Sequence, residues 1–191
     1  MTLSLVTIPA ASLRERSKEI DHAVLLSDEI QKLIRGLVPV MAAEDGVGLA
    51  APQVGHNLRL CIIAKKVIDS AVRPAPANID LNNSKKSDLV LVNPVWRRLS
   101  KKTTTDNEGC LSVPGFFGKV KRWKDLEVTA WNEKGSELKF EAHGFFARVI
   151  QHEIDHLDGI LFIDRANDLY KTEHKRILDE KVVLENIRYC S

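Results

Sequence analysis

The stretch Gln-His-Glu-Ile-Asp-His-Leu-Asp-Gly, residues 151–159, decides how the rest of this chain must be arranged. On an α-helix, His152 and His156 lie one turn apart and point to the same side, so both imidazoles can bind one metal ion. Glu153 lies at the edge of that face, where a carboxylate can accept a proton from a water molecule activated by the metal. The stretch therefore predicts a metal-binding helix with a general base beside it.

The residues around the two histidines are mostly apolar, which predicts a buried helix. Its apolar stripe would consist of Phe146, Ile150, Ile154, Leu157 and Leu161. A helix that is apolar on most of its surface packs inside a protein, and titratable side chains there are costly unless they have partners. This setting favours a functional motif over a chance match on a solvated helix.

The composition is typical of a globular protein, and we expect a single domain over residues 1–191. Three cysteines, an odd number, disfavour a disulfide framework and favour a reducing compartment. No apolar run approaches the ~18 residues of a membrane helix, and the N-terminus lacks the basic region of a secretory signal. The net charge of +2 gives no indication of nucleic-acid binding. We therefore expect a cytoplasmic protein that binds neither membranes nor DNA, while an organellar origin stays open.

The patterns along the chain predict an α+β fold, in which antiparallel β-sheets pack around the central metal-binding helix, with helices at both ends of the chain. Alternating or β-rich runs predict strands over residues 58–64, 89–99, 126–132 and 136–142. The last two flank a Gly-containing turn and are expected to form a hairpin. Within the first of these strands, Cys61 is expected to be a small core residue.

The remaining segments are predicted to be helices and one insertion. Ser27 is a suitable N-cap for a helix that runs to about residue 43, although Pro39 should kink it or end it early. Residues 65–88 lack periodicity and are expected to form an exposed loop insertion. Residues 166–188 are rich in charge and are expected to form a long C-terminal helix.

Cys110 is the candidate for a third metal ligand, because a catalytic metal normally has three protein ligands and one open position. A thiolate binds zinc and ferrous iron well. The neighbouring Gly109 would let the backbone come close to the metal or the substrate. A lone cysteine is more often a buried structural thiol, but residues 108–115 look like a loop, where functional sites concentrate.

The glycine-rich stretch at residues 46–53 lacks the Lys-Ser/Thr of a phosphate-binding loop, so nucleotide binding is rejected. Val47 and Gly48 instead suit a site where a peptide substrate adds as an extra strand. Gln53 ends the stretch with a neutral amide that could stabilise an oxyanion. A glutamine that only caps a turn would give the same pattern.

Together the three stretches resemble the signature motifs of the peptide deformylases, in the same order. They are Gly-Val-Gly-Leu-Ala-Ala-Pro-Gln at 46–53, Glu-Gly-Cys-Leu-Ser at 108–112 and Gln-His-Glu-Ile-Asp-His at 151–156. The resemblance covers about residues 5–165. It implies a hydrolase that removes the N-formyl group from the initiator methionine of nascent polypeptides and releases formate. A transient contact with the ribosome is also left open.

The resemblance also implies the roles of single residues. Cys110, His152 and His156 would bind one divalent metal ion, which is usually Fe²⁺ in this family, although the same ligands accept Zn²⁺, Ni²⁺ or Co²⁺. Glu153 would be the general base and then the general acid. The Gln53 side chain and the Leu111 backbone N–H would hold the developing oxyanion.

The methionine side chain needs an apolar slot, and Phe145 and Val149, about a turn or two before His152, are predicted to line it. The rim at residues 115–118 reads Gly-Phe-Phe-Gly, where many relatives carry polar or basic residues, which leaves the peptide affinity open. Glu108 is expected to pair with Arg122 and so hold the cysteine segment. The basic run at residues 119–124 is interpreted as a solvated strand.

The main alternative is a zinc endopeptidase of the His-Glu-x-x-His type. Its third ligand would lie downstream, at Glu173, His174 or Glu180. That hypothesis leaves Cys110 and Gln53 without a role. A catalytically silent binding protein is also less favoured, because a binder needs no general base.

Overall fold

The computed structural model describes residues 3–69, 87–172 and 180–187. Its helices are α1 (His22–Leu25), α2 (Asp28–Ala43), α3 (Lys65–Asp69), α4 (Gly144–Leu157), α5 (Phe162–Arg165) and α6 (Glu180–Glu185). Its strands are β1 (Gly48–Ala50), β2 (Leu60–Ile63), β3 (Leu89–Arg98), β4 (Thr103–Cys110), β5 (Val113–Trp123), β6 (Asp125–Trp131), β7 (Glu137–His143) and β8 (Asn167–Lys171). Within these ranges, none of the helices combines the length and apolarity needed to cross a membrane.

The larger sheet has five antiparallel strands in the order β1-β2-β3-β6-β7. Along β7, Leu138, Phe140 and Ala142 are buried while the residues between them face outward. This alternation covers one face of the sheet with apolar side chains, and α2 and α4 contribute to the same core. The predicted α+β fold and the predicted hairpin are both confirmed.

The smaller sheet pairs β4, β5 and β8 and carries the cysteine motif. Gly109 lies opposite Phe117, and the register shifts at Cys110, where the chain turns from β4 into β5. The prediction of a loop over residues 108–115 was therefore wrong. The side chains of β4 are polar and mostly half-buried or exposed, so they lack the apolar alternation that marks a strand.

The C-terminal segment differs from the long helix predicted over residues 166–188. Residues 167–171 form β8, whose Tyr170 lies opposite Phe117 of β5. The backbone of β5 offers hydrogen-bonding groups that the charged sequence could not reveal, because pairing depends on the distant partner. Helix α6 begins at Glu180 and buries Val183 in a second apolar cluster, and residues 173–179 lie outside the described ranges.

Two further expectations need correction. The start of the predicted 65–88 insertion is helix α3, because Val67 and Ile68 find places in the core; residues 70–86 lie outside the described ranges. Helix α2 starts at the Ser27 cap as predicted, but it continues past Pro39 to Ala43. Burial of Met41 in its last turn stabilises that end of the helix.

The central helix α4 is buried along most of its length, as the sequence predicts. It follows β7 directly through Gly144, whose φ of 56° is a left-handed conformation that glycine adopts without strain. Beyond its last turn, Gly159 has a φ of 72° and turns the chain away. The two glycines thus set the length of the helix that carries both histidines.

Candidate active site

Cys110, His152 and His156 are brought together although 42 residues separate the cysteine from the first histidine. One potential ligand atom from each residue lies within 4.8 Å of the others. Cys110 Sγ and His156 Nε2 are 3.2 Å apart, and the two imidazole rings meet edge-on at 81°. One sulfur and two nitrogen atoms are a ligand set that zinc and ferrous iron accept. The residues present therefore fit a divalent metal ion.

Glu108 sets the orientation of His152. Its Oε2 lies 3.1 Å from His152 Nδ1, which leaves Nε2 of that ring for the metal site. Arg122 binds both carboxylate oxygens, with Nε donating at 2.9 Å and Nη2 at 2.8 Å. Burial by itself would raise the pKa of Glu108, but the hydrogen bonds from Arg122 and His152 hold that pKa well below its ordinary value. The predicted Glu108–Arg122 pair is confirmed.

Glu153 is 3% exposed, and its Oε2 has no hydrogen-bond partner among the described residues. Its side chain lies against Gly48, so closely that a Cβ atom on Gly48 would be 2.4 Å from Glu153 Oε1. Burial raises the pKa of Glu153 to about 7. A carboxyl group with such a pKa exchanges protons near neutral pH, as a general acid–base group must.

Gln53 lies in a short 3₁₀ helix, Ala51–Val54, directly after β1. Its Oε1 accepts a hydrogen bond of 2.8 Å from the Ala50 backbone N–H. Its Nε2 donates to Cys110 Sγ at 3.5 Å and to Ser112 Oγ at 3.3 Å. The side chain therefore caps its own turn and also contacts the proposed ligand.

A cleft of about 230 Å³ opens beside these residues. Its lining includes Val47, Gly48, Gln53, Gly109, Cys110 and Leu111, all of which the sequence had singled out. Strand β1 lies at an edge of the larger sheet in the described part of the chain, so a peptide in the cleft could pair with it.

Two predicted residues occupy other places. Phe145 is 53% exposed on the first turn of α4, and Val149 is 4% exposed within the main core. Neither lines the cleft as the structure describes it. Their role in a methionine slot stays a prediction.

Several neighbours of the site were not predicted from the sequence. Leu5 and Thr7 line the cleft, because this part of the chain runs beside Gln53: the Val6 backbone N–H donates to the Gln53 carbonyl oxygen at 2.8 Å. Arg148 on α4 reaches Glu108. A charged residue within a mostly apolar helix could have drawn attention to Arg148. The residues around Leu5 and Thr7 show no pattern that predicts their position beside the site.

Comparison with known proteins identifies the family. The profile of the polypeptide deformylase family matches residues 2–172. The chain belongs to the polypeptide deformylase family. Over 166 residues it is 39% identical to peptide deformylase 2 of Gloeobacter violaceus, covering 87% of this chain and 80% of that protein. It is 38% identical over 167 residues to the peptide deformylase of Desulforudis audaxviator, covering 87% and 95% of the two chains.

Solved structures agree with this assignment. A crystal structure of a peptide deformylase from Synechococcus elongatus in complex with actinonin superposes with a TM-score of 0.70 and 33% identity, covering 96% of this chain and 82% of that one. Polypeptide deformylases are metal-dependent enzymes that remove the formyl group from the N-terminal methionine of nascent polypeptides. The endopeptidase alternative is not favoured.

Proposed function

We propose that Cys110, His152 and His156 bind one divalent metal ion for the hydrolysis of N-formyl-methionyl peptides, and that the catalytic metal is Fe²⁺. Glu153 serves as the general base and then as the general acid. The observation that carries the proposal is the position of Glu153. It is buried next to His152 and keeps one carboxylate oxygen without a partner among the described residues.

A bound divalent ion would supply Lewis acidity, which lowers the pKa of water from 15.7 toward ~7. Glu153 then accepts a proton from the attacking water molecule at Oε2, which has no partner among the described residues, and delivers it to the nitrogen of the leaving amine. Without a metal, burial raises its pKa to about 7, toward the range in which a carboxyl group both accepts and donates protons. A cation nearby would lower this pKa and so favour the carboxylate that starts the reaction.

Gln53 and Leu111 are proposed to stabilise the oxyanion that forms when water attacks the formyl carbon. The Gln53 Oε1 accepts from Ala50 N, and this bond turns the NH₂ group toward Cys110. Leu111 follows Cys110 directly and lines the cleft, which supports the assignment of its backbone N–H. Neither donor brings a charge that would compete with the metal.

The peptide is proposed to lie along Val47 and Gly48, with Gly109 as a further residue of the cleft lining. We retain Phe145 and Val149 as the proposed lining of the methionine slot. Nascent formylated chains are the proposed partners in a cytoplasmic setting, with a transient ribosome contact as a further proposal.

The endopeptidase hypothesis would draw a third ligand from downstream residues. Glu173 and His174 lie outside the described residues, and Glu180 begins helix α6. Cys110 already supplies a third potential ligand atom within 4.8 Å of the others. This grouping favours the deformylase.

The test is formate release from formyl-methionyl-alanyl-serine by protein prepared with Fe²⁺ without oxygen. Glu153→Gln removes the proton acceptor but keeps the shape of the side chain, so kcat should fall by roughly 10²–10⁴-fold. Its metal content should not change. Glu137→Gln, on the exposed face of β7, is the matched control and should behave as the unaltered protein does.

A chelator should abolish formate release, and added Fe²⁺ should restore it. Absence of formate from the freshly loaded Fe²⁺ protein would contradict the proposal. Cleavage of internal bonds in unformylated peptides would instead support the endopeptidase. Loss of metal in Glu153→Gln would show that Glu153 holds the metal site together.

A further inference from the structure

Arg148 is a buried cation on α4, one turn before His152, and its side chain is 4% exposed. Its Nη1 donates to Glu108 Oε1 at 2.6 Å and to the Val120 carbonyl oxygen at 2.9 Å. Its Nη2 donates to the Thr104 carbonyl oxygen at 2.9 Å. Burying a guanidinium group is costly unless its partners compensate. All three partners lie on the hairpin formed by β4 and β5.

That hairpin and α4 each carry part of the metal site. Cys110 ends β4, whereas His152 and His156 lie on α4. Metal–ligand distances tolerate deviations of only about 0.2 Å, so the contacts that join the two elements decide whether the three ligands close around an ion. Other links exist, such as Gln151 to the Trp123 backbone. Arg148 joins the helix to both strands.

Glu108 connects the hydrogen bonds of Arg148 to the proposed metal ligand His152. Arg122 occupies one side of the carboxylate with two hydrogen bonds, and Arg148 adds a third at Oε1. Among the described residues, Oε2 also contacts His152 Nδ1. The direction of the His152 ring therefore depends on a carboxylate that two guanidinium groups hold in place.

We propose that Arg148 is a positioning residue for the metal site. It clamps the β4–β5 hairpin onto α4 and holds Glu108 against His152, so that the three ligands close around one ion. The inference rests on the proposed function only in that Cys110, His152 and His156 bind a metal. Arg148 is 4% exposed and donates its hydrogen bonds to Glu108, Val120 and Thr104, so it acts on the site through other residues.

The charge of Arg148 and its contacts have opposite effects on metal affinity. A buried positive charge repels a divalent cation, so removal of the charge alone would strengthen metal binding. Loss of the clamp would weaken it, because changes to the outer partners of a ligand typically reduce metal affinity by about 10–100-fold. The sign of the change therefore distinguishes a clamp from a mere charge.

The experiment measures the Zn²⁺ affinity of metal-free protein by competition with a chelator of known affinity. R148M keeps an unbranched apolar side chain like the stem of arginine but removes all three hydrogen bonds, and its affinity should fall by about 10–100-fold. R148K should recover part of the loss, because an ammonium group can reach one acceptor but cannot match the planar fork of arginine. With the metal site saturated, the KM for the formylated peptide should stay unchanged.

Arg59 provides a matched control. Its side chain is 7% exposed and donates to Asp158 at 2.7 Å and to the Pro94 carbonyl oxygen at 3.2 Å, without a contact to Glu108 in the described part of the chain. R59M should lower the thermal stability of the metal-free protein as R148M does, with Zn²⁺ affinity unchanged. Unchanged or tighter binding in R148M would overturn the proposal, and so would equal weakening in R59M.

The affinity measurement does not depend on formate release. If the unaltered protein binds Zn²⁺ tightly yet releases no formate, the deformylase proposal fails while the positioning role of Arg148 can still be judged. If R148M binds Zn²⁺ normally while formate release is intact in the unaltered protein, only the positioning role fails.

Discussion

A single methyl group at Gly48 should disable the site without unfolding the protein. An alanine Cβ there would lie 2.4 Å from Oε1, 2.7 Å from Cδ and 2.8 Å from Cγ of Glu153. Ordinary contacts begin at 3.4 Å, so the carboxylate must move by about 1 Å, the difference between the two distances. A misplacement of about 1 Å can cost on the order of 10²-fold in rate.

The backbone itself should accept the substitution. Gly48 lies in strand β1 and its φ is outside the left-handed region, so alanine adds no backbone strain. Replacing glycine by alanine at a compatible position stabilises a protein by about 0.4–1 kcal/mol through the unfolded chain. That gain offsets part of the cost of moving Glu153, and the fold should persist.

The assay is the kcat for formate release by Gly48→Ala at full metal occupancy, with metal content and Tm measured on the same sample. We expect kcat to fall by about 100-fold, with metal content unchanged. Gly36→Ala is the matched control, because its Cβ meets only the flexible end of Leu3. A normal kcat in Gly48→Ala would refute the argument that the position of Glu153 against Gly48 matters for proton transfer.

Two further predictions concern the oxyanion and the end of α4. Gln53→Ala removes the amide that donates to the Cys110 sulfur, and kcat should fall by roughly 10²–10³-fold. Steady-state kinetics with metal analysis measure the change, and a normal kcat would exclude a role of Gln53 in stabilising the oxyanion. Gly159→Ala places a methyl group 2.7 Å from the Arg14 carbonyl oxygen at a φ of 72°, and should destabilise the fold by more than ~1 kcal/mol in thermal denaturation. Gly55→Ala, at a φ of 81° with open space around it, measures the backbone strain alone, so equal losses at both positions would rule out the clash.

Much of the larger sheet and the central helix followed from local patterns. The hairpin of β6 and β7 shows apolar alternation on both sides of a tight turn. Helix α4 shows a broad apolar face, and its burial is confirmed. These features depend on neighbouring residues, whose spacing already defines which face is buried.

The elements that the sequence did not predict depend on distant partners. Strand β4 is polar from Thr103 to Glu108 and is a strand because β5 pairs with it. Strand β8 follows a helix and carries three polar or charged residues among its five, yet it adds to the other edge of β5. A polar segment that lies beside the open edge of a strand gains backbone hydrogen bonds from that strand. The pattern of residues within the segment does not show this, because the strand is distant in the sequence.

The sequence by itself determined the kind of chemistry, because the residue types and their spacing on one helix already specify two imidazoles and a carboxylate on neighbouring faces. Only the tertiary structure decided the arrangement in space. It brought Cys110 to 3.2 Å from His156, set Glu153 against Gly48, and joined α4 to the β4–β5 hairpin through Arg148. These contacts link residues between 28 and 105 positions apart in the chain. They exist only once the sheets and the helix have packed together, because side-chain orientation at such separations follows from packing and not from local spacing.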